Sequence, residues 1–416
     1  MPTNIPGKVF KTVKSIFGKE PAKKKAEKYH FDLYGRYPIA LVKGKGSKVW
    51  DDEHNEYIDA LAGIAVNSLG HSHPRIVKAI QKQAEKLIHV SNFYYNGPQS
   101  DLAEMLVKLS GLDKAFFCNS GAEAVEGSIK LARRYSYKKG KTGTIISMKN
   151  SFHGRTLGTI AMGKEKYQQG YSPIPPGFKH VSMNDVKELE NSVDEETVAI
   201  IIEPIQGEGG IIEATPEYLK TARKLCNQFE IPLIFDEVQC GIARTGKMFA
   251  HQHYGIKPDI MPLAKALGSG FPIGAVVAKE EFAKAFDHGS HGTTFGGNPL
   301  ACTAAVETLK VILDDDICEK ARVRGSYLRT RLEDLSNNWN AIRDVRGRGL
   351  MVGIELAFDG GDVVKEMLKR GVLSNCASGN VIRLVPPLII TKEELDTVVD
   401  VLVESIKEVE KKNVQA

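Results

Sequence analysis

The chain of 416 residues is 42% hydrophobic and 26% charged, the proportions of a globular protein with material for two or three domains, or for one large domain and a smaller companion. Its formal charge of +5 arises in the first 30 residues, where eight lysines face two glutamates; the rest holds 48 basic against 49 acidic residues, a balance that excludes a general nucleic-acid binder. No apolar run is long enough to span a bilayer, no secretory h-region is present, and the six cysteines form no C-x-x-C pair, so the expected location is the cytoplasm with reduced thiols.

Residues 1–33 read as a basic extension, with Val9, Phe10, Val13, Ile16 and Phe17 at helical spacing between lysines. A membrane-contacting amphipathic helix is the sharper reading, and a solvated or subunit-packing extension is preferred. A mitochondrial leader does not fit, because no arginine precedes Arg36 and Glu20 and Glu27 interrupt the segment. Residues 34–74 are expected to begin a small domain, with "GSKVWDDEHNEYIDAL" as a strand and turn before a helix near Pro74.

Residues 75–305 carry short apolar runs separated by amphipathic stretches: "KAFFC" into "NSGAEA" and a helix to about Tyr137, "TIISM" into "KNSFHGRT", "VAIIIEP" into "IQGEGG", "IPLIFDEV" into "QCGIARTG". Continuous apolar strands joined by helices predict an α/β domain, its mainly parallel sheet covered on both faces. Ligands of such sheets gather beyond the carboxyl ends of the strands, where these polar tails lie. Asn298-Pro299 caps a further long helix. Residues 306–416 are expected to complete the smaller α+β domain, drawn from both chain ends, with strands in "GLMVGIEL" and "VIRLVPPL". A closing helix begins at the Thr391/Glu394 capping box.

Three signals carry chemistry. Ser120, Gly121 and Ala122 stand between a strand and a helix, where free backbone N–H groups cradle phosphate, although such junctions are common. Asp236 and Glu237 end a strand, and alternation lets only one of them face a given site; a carboxylate there can hold a proton on a pyridine nitrogen, or simply cap a helix. Lys265, in "LAKAL", has apolar neighbours that predict a lowered pKa and a nucleophilic amine able to form a Schiff base; a snorkelling side chain is the plainer alternative. With the hydroxyls of Thr293 and Thr294 further on, these are the parts needed to hold pyridoxal 5'-phosphate. "GIARTGKM" is a near miss to a P-loop, with Met248 where a hydroxyl is required. The close pairs His71/His73, His251/His253 and His288/His291 lack companions at metal-ligand spacing, so no metal is expected.

"SGAEA", "SFHGRT", "EPIQGEGG", "DEVQCG" followed by "RTG", "AKALGSGFPIG", "HGTTFGGNPLA" and "VIRLVPPL" together resemble the class III pyridoxal-phosphate-dependent aminotransferases over roughly Tyr34 to the last helix. The resemblance implies the fold-type-I architecture. It is strongest to the branch acting on N-acetylornithine, with the ornithine branch next. It implies transfer of the δ-amino group to 2-oxoglutarate in a ping-pong cycle; 4-aminobutyrate or another ω-amine, or a decarboxylase or mutase of the same fold, are the alternatives. By the same resemblance Lys265 binds the cofactor aldehyde and shuttles protons, and Asp236 and Gln239 hold the ring nitrogen and hydroxyl. Ser120, Gly121 and Ala122 take the phosphate with Thr294 of a neighbouring subunit, and Phe152 and Val238 sandwich the ring. Arg155 and Arg383 receive carboxylates, Glu208 masks Arg383 while an ω-amine binds, and Tyr34 and Thr293 line the substrate pocket. A homodimer or higher homo-oligomer with shared sites follows. Pro262, Ser269 and Ala243 depart from the family's usual threonine, glycine and glycine, and Val125 and Gly127 alter the helix start.

Overall fold

The computed structural model describes residues 21–415, so the helical pattern at residues 9–17 falls outside the described residues. Helix α1 (Ala22–Tyr29) buries none of its residues. After it come β1 (Leu41–Lys45), β2 (Lys48–Asp51) and β3 (Glu56–Asp59), an antiparallel meander where one strand and a turn were expected. Asp51 makes the expected turn, between β2 and β3: its carboxylate accepts the N–H groups of Glu53 and Asn55 and the Tyr57 hydroxyl, at 3.0, 2.8 and 2.8 Å.

Helix α2 (Pro74–Ala84) opens on proline, and α3 (Gly97–Ser110) is capped by the Asn96 side chain. The large sheet then begins with β4 (Lys114–Cys118), from which α4 (Gly121–Lys138) departs. Its other strands are β5 (Thr144–Met148), β6 (Phe178–Val181) and β7 (Thr197–Ile202), then, beyond the small ribbon β8 (Ile205–Gln206) and β9 (Ile212–Glu213), β10 (Leu233–Phe235), β11 (Ile260–Leu263) and β12 (Gly274–Ala278). The order is β4-β12-β11-β10-β7-β5-β6, with β12 antiparallel to both neighbours and the remaining pairs parallel. Every residue of β7 and β10 is buried, because helices cover both faces; hence their apolar runs show no alternation.

Asn298 caps α5 (Pro299–Asp314), and α6 (Ile317–Ser336) leads to an antiparallel sheet of β13 (Ile342–Arg348), β14 (Met351–Leu356), β16 (Asn375–Ala377) and β17 (Val381–Leu384). Between them β15 (Val372–Leu373) pairs with β3, so the two ends of the chain share one sheet. The boundary expected at residue 305 falls inside α5, a continuous helix. In α7 (Lys392–Gln415) the capping box is reciprocal: Glu394 N–H reaches Thr391 Oγ1 at 3.2 Å, and Thr391 N–H reaches Glu394 Oε2 at 2.9 Å. One apolar cluster links Leu106, Phe117, Leu263, Leu309, Ile354, Leu384 and Leu402, so the two main sheets share a core. Cys302 lies in that cluster, and Cys118, Cys226 and Cys240 are buried in three others, all as free thiols. Among the described residues no helix is long and apolar enough to cross a membrane.

Candidate active site

The carboxyl ends of β4, β10 and β11 open on a cavity of about 420 Å³. Three chain segments supply its working surface. At the end of β4 the Ser120 hydroxyl accepts the Glu123 N–H at 3.2 Å and so starts α4. The N–H groups of that first turn have no partner inside the helix, and with the helix dipole they favour an anion. Gly121 and Ala122 line the cavity at this point. A Cβ on Gly121 would stand 2.8 Å from Val238 Cγ1, so only glycine lets the cradle lie this close to the opposite wall.

Asp236 follows β10 and faces the cavity, while Glu237 points away and accepts the N–H groups of Ala250 and His251 at 2.6 and 2.8 Å. The alternation expected from a strand end therefore turns one acid toward the cavity and the other into the fold. Asp236 Oδ2 pairs with His153 Nδ1 at 2.7 Å and Oδ1 accepts the Val238 N–H at 3.0 Å. His153 is fully enclosed. Burial alone would lower its pKa, but the bond to Asp236 and the charges of Asp236 and Glu203 raise it. Glu203, at the end of β7, accepts the N–H groups of Phe152 and Gly207 at 2.9 and 3.2 Å. Burial, with Asp236 nearby, lifts its carboxyl well above the usual range, against the pull of His153. Neither His153 nor Glu203 stands among the residues expected from the sequence; Glu203 directly follows the apolar strand β7, the signal that marks Asp236, whereas His153 lies in the loop five residues past β5.

Lys265 follows β11, the strand paired with β10, and lines the cavity with its backbone in the left-handed region at φ 43°. A non-glycine residue held there is strained, and such strain persists where the surroundings fix it. Burial first, then the charge of Arg383, lowers its amine from 10.5 to about 8, against the opposing carboxylates of Glu208, Glu203 and Asp236. The lowered value leaves far more of this amine neutral near pH 7 than an ordinary lysine keeps, and the neutral form is the nucleophile. Phe152, Val238 and Gln239 also line the cavity.

Arg383, on β17, is fully buried and donates to Glu208 Oε1 at 2.5 Å, Gln239 Oε1 at 3.3 Å and Asn375 Oδ1 at 3.1 Å. Burial opposes ionisation of Glu208, but Arg383 overrides it and holds the carboxyl below its ordinary value. Arg155 lies across the cavity mouth, exposed, over the Tyr167 ring at 4.0 Å and the Phe152 ring at 5.4 Å. The structure thus brings Ser120, Gly121, Ala122, Phe152, Arg155, Asp236, Val238, Gln239 and Lys265 together, with the Glu208–Arg383 pair beside them. Three expected residues lie apart within the chain. Tyr34 is exposed in the N-terminal segment, Thr294 is exposed, and Thr293 Oγ1 accepts from Asn119 and from the Gly296 N–H behind the helix start.

The histidine pairs have other work: His71 binds Asp59, His251 binds Glu237, and His291 contacts Lys130. The "GIARTG" segment forms tight turns rather than a phosphate loop, with Ile242 and Ala243 at φ 51° and 65°. Ala243 thus occupies a left-handed position, which explains the family's preference for glycine there. Anion cradle, ring-facing carboxylate, flat apolar walls and low-pKa amine fit a heteroaromatic aldehyde bearing a phosphate, the form of pyridoxal 5'-phosphate.

A family model described as aminotransferase class-III matches residues 33–406. Over 392 residues the chain is 56% identical to the acetylornithine aminotransferase of Methanocaldococcus jannaschii, covering 92% of this chain and 98% of that one. It is 53% identical over 387 residues to that of Caldanaerobacter subterraneus, covering 92% and 98%. Among solved structures, an ornithine aminotransferase from Toxoplasma gondii, described with partial occupancy of PLP at its active site, superposes with a TM-score of 0.90 at 34% identity, covering 99% of both chains. An acetylornithine aminotransferase from Elizabethkingia anophelis superposes with a TM-score of 0.85 at 38% identity, covering 93% and 98%.

Proposed function

This chain belongs to the class III aminotransferases, pyridoxal-phosphate enzymes that pass an amino group from a donor to an oxo acid, and we propose that it takes the δ-amino group of N-acetylornithine and gives it to 2-oxoglutarate. The relatives named for that donor support the choice. One observation carries the reading: Glu208 masks the buried Arg383 beside Lys265, leaving Arg155 as the accessible cation. A donor whose reacting amine is remote from its only carboxylate suits that arrangement. Its carboxylate lies on Arg155, where a planar fork binds it bidentately, and its neutral amine end enters past the masked arginine. An oxo acid with two carboxylates needs both arginines, so Glu208 must release Arg383 when 2-oxoglutarate binds.

When bound, pyridoxal 5'-phosphate supplies an aldehyde and an electron-withdrawing ring. The chain's residues do the rest. Lys265 Nζ would hold the cofactor through that aldehyde, and the same amine, freed when a donor binds, would serve as the base that takes up and returns the transferred proton. Asp236, oriented by His153, would keep a proton on the ring nitrogen. Gln239 is assigned the ring hydroxyl, Phe152 and Val238 the ring faces, and Ser120, Gly121 and Ala122 the phosphate.

We extend the proposal to a homodimer or larger assembly in which Thr294, Tyr34 and Thr293 serve a neighbouring site. Asn92 Nδ2 donates to the carbonyls of Thr293 and Gly296, and the His89 and Phe295 rings meet at 5.2 Å. These two segments expose Phe93, Tyr94, Tyr95 and Phe295, large apolar side chains of the kind an interface covers. The visible spectrum of the holoenzyme tests the chemistry. N-acetylornithine added without an oxo acid should remove the cofactor's long-wavelength band, and 2-oxoglutarate should restore it. A band that persists with N-acetylornithine and falls with ornithine or 4-aminobutyrate would move the donor assignment to them.

A further inference from the structure

Arg244 lies eight residues beyond Asp236 and is fully buried, yet its guanidinium meets no carboxylate among the described residues. Nη1 donates to the carbonyls of Leu350 and Pro386 at 2.9 and 2.6 Å, and Nη2 donates to Ser68 Oγ at 3.2 Å. The Leu350 N–H returns a bond to the Arg244 carbonyl at 3.1 Å. Burial pushes the guanidinium down to about 9, with Asp59 opposing. A buried cation neutralised only by dipoles is costly, so what it holds together must matter to the fold or to the chemistry.

What it holds is specific. On one side is the tight turn of residues 237–246, which carries Gln239 and is strained at Ile242 and Ala243. On the other are the β13–β14 turn at Leu350 and the exit of β17, where Pro386 stands three residues after Arg383. The contact has no slack: a Cβ on Gly349 would lie 2.5 Å from the Thr245 carbonyl carbon and 2.7 Å from the Arg244 oxygen. Gln239 and Arg383, already joined at 3.3 Å, are thus clamped from both chain segments.

We propose that Arg244 is a positioning residue for oxo-acid recognition: by tying Leu350 and Pro386 to the Gln239 turn, it fixes where the Arg383 guanidinium stands. The inference rests on the proposed use of Arg383 for 2-oxoglutarate. A donor held by Arg155 alone does not depend on that position, so the two substrates separate the idea from a general loss of structure.

The test is steady-state kinetics of the Arg244→Lys holoenzyme with both substrates varied, beside thermal unfolding and cofactor affinity. Lysine keeps the charge but reaches one partner instead of three. The KM for 2-oxoglutarate should rise about tenfold, because displacements of an ångström or less at a carboxylate clamp have effects of that size. The donor KM and kcat should stay within about threefold, and cofactor affinity should hold. Ser68→Ala, which removes only the 3.2 Å bond, should raise the same KM about twofold and serves if the lysine variant does not fold. An unchanged 2-oxoglutarate KM in a folded variant, or equal shifts for donor and acceptor, would overturn the proposal. Absence of 2-oxoglutarate-dependent turnover in the unaltered enzyme would instead remove the acceptor assignment on which it stands.

Discussion

Glu208→Gln tests the masking of Arg383 directly. The pair is short, 2.5 Å, with the arginine side chain fully buried and that of Glu208 23% exposed. Unit charges about 4 Å apart at an effective dielectric of 20 attract by about 4 kcal/mol. Solvent at Glu208, the amide oxygen that remains, and the bonds of Arg383 to Asn375 and Gln239 reduce the net loss to about 1–2 kcal/mol. That energy holds the arginine closed to α-carboxylates. Its release should raise kcat/KM for glutamate as donor by about tenfold, since 1.4 kcal/mol is a factor of ten. N-acetylornithine should lose efficiency, because an unmasked cation then faces its uncharged end. The assay is the half-reaction rate with each donor, followed in the cofactor absorption by stopped flow. A donor ratio unmoved by the substitution refutes the gate. Stability supplies a second check. Because the folded state lowers the pKa of Glu208, its contribution is present above the ordinary 4.5 and fades as pH falls through the lowered value. The difference in Tm between the two proteins should therefore be steady near neutrality and shrink below pH 4.5.

Two further outcomes follow from the site. Lys265→Met in the cofactor-free protein should stabilise it near pH 7 by at most about 3 kcal/mol, because unfolding releases the amine from an environment that lowers its pKa by about 2.5 pH units. Below pH 8 the folded protein must protonate that amine unfavourably; between 8 and 10.5 the penalty disappears, so denaturant titrations should show the gap closing across that window. Gly121→Ala sets a methyl group 2.8 Å from Val238 Cγ1 inside the cradle. Cofactor affinity, measured by equilibrium dialysis, should fall at least about tenfold, with the Tm of the cofactor-free protein lowered by only a few degrees; unchanged affinity would detach the helix start from the phosphate.

Much of the site was legible because strand ends announce themselves. Asp236 and Lys265 each close an apolar run, and parallel sheets collect such ends on one edge. The Ser120 cap and the Asn298-Pro299 start were equally clear, since capping is local chemistry written in adjacent residues. What escaped was set by contacts distant in sequence. The pairing of β15 with β3 crosses more than 300 residues, and the bond between His153 and Asp236 crosses 83. In the N-terminal meander the expected strand and turn are both there, the turn made by Asp51, but β1 and β3 on either side are only five and four residues long and carry too little pattern to announce themselves. Tyr34 and Thr294 are exposed and do not line the cavity of the chain that carries them.

The buried thiols give the molecule a set of native reporters. Cys118 lies on the edge strand β4, Cys226 packs behind β10, and Cys302 sits in α5, each closed to solvent. Burial pushes Cys118 and Cys302 up to about 12 and Cys226 higher still, so an alkylating reagent finds almost no thiolate while the core is shut. Labelling then proceeds only through transient openings, and its rate at each position counts how often that layer comes apart. Mass spectrometry of pulse-alkylated protein would rank the layers by local stability without any engineered probe.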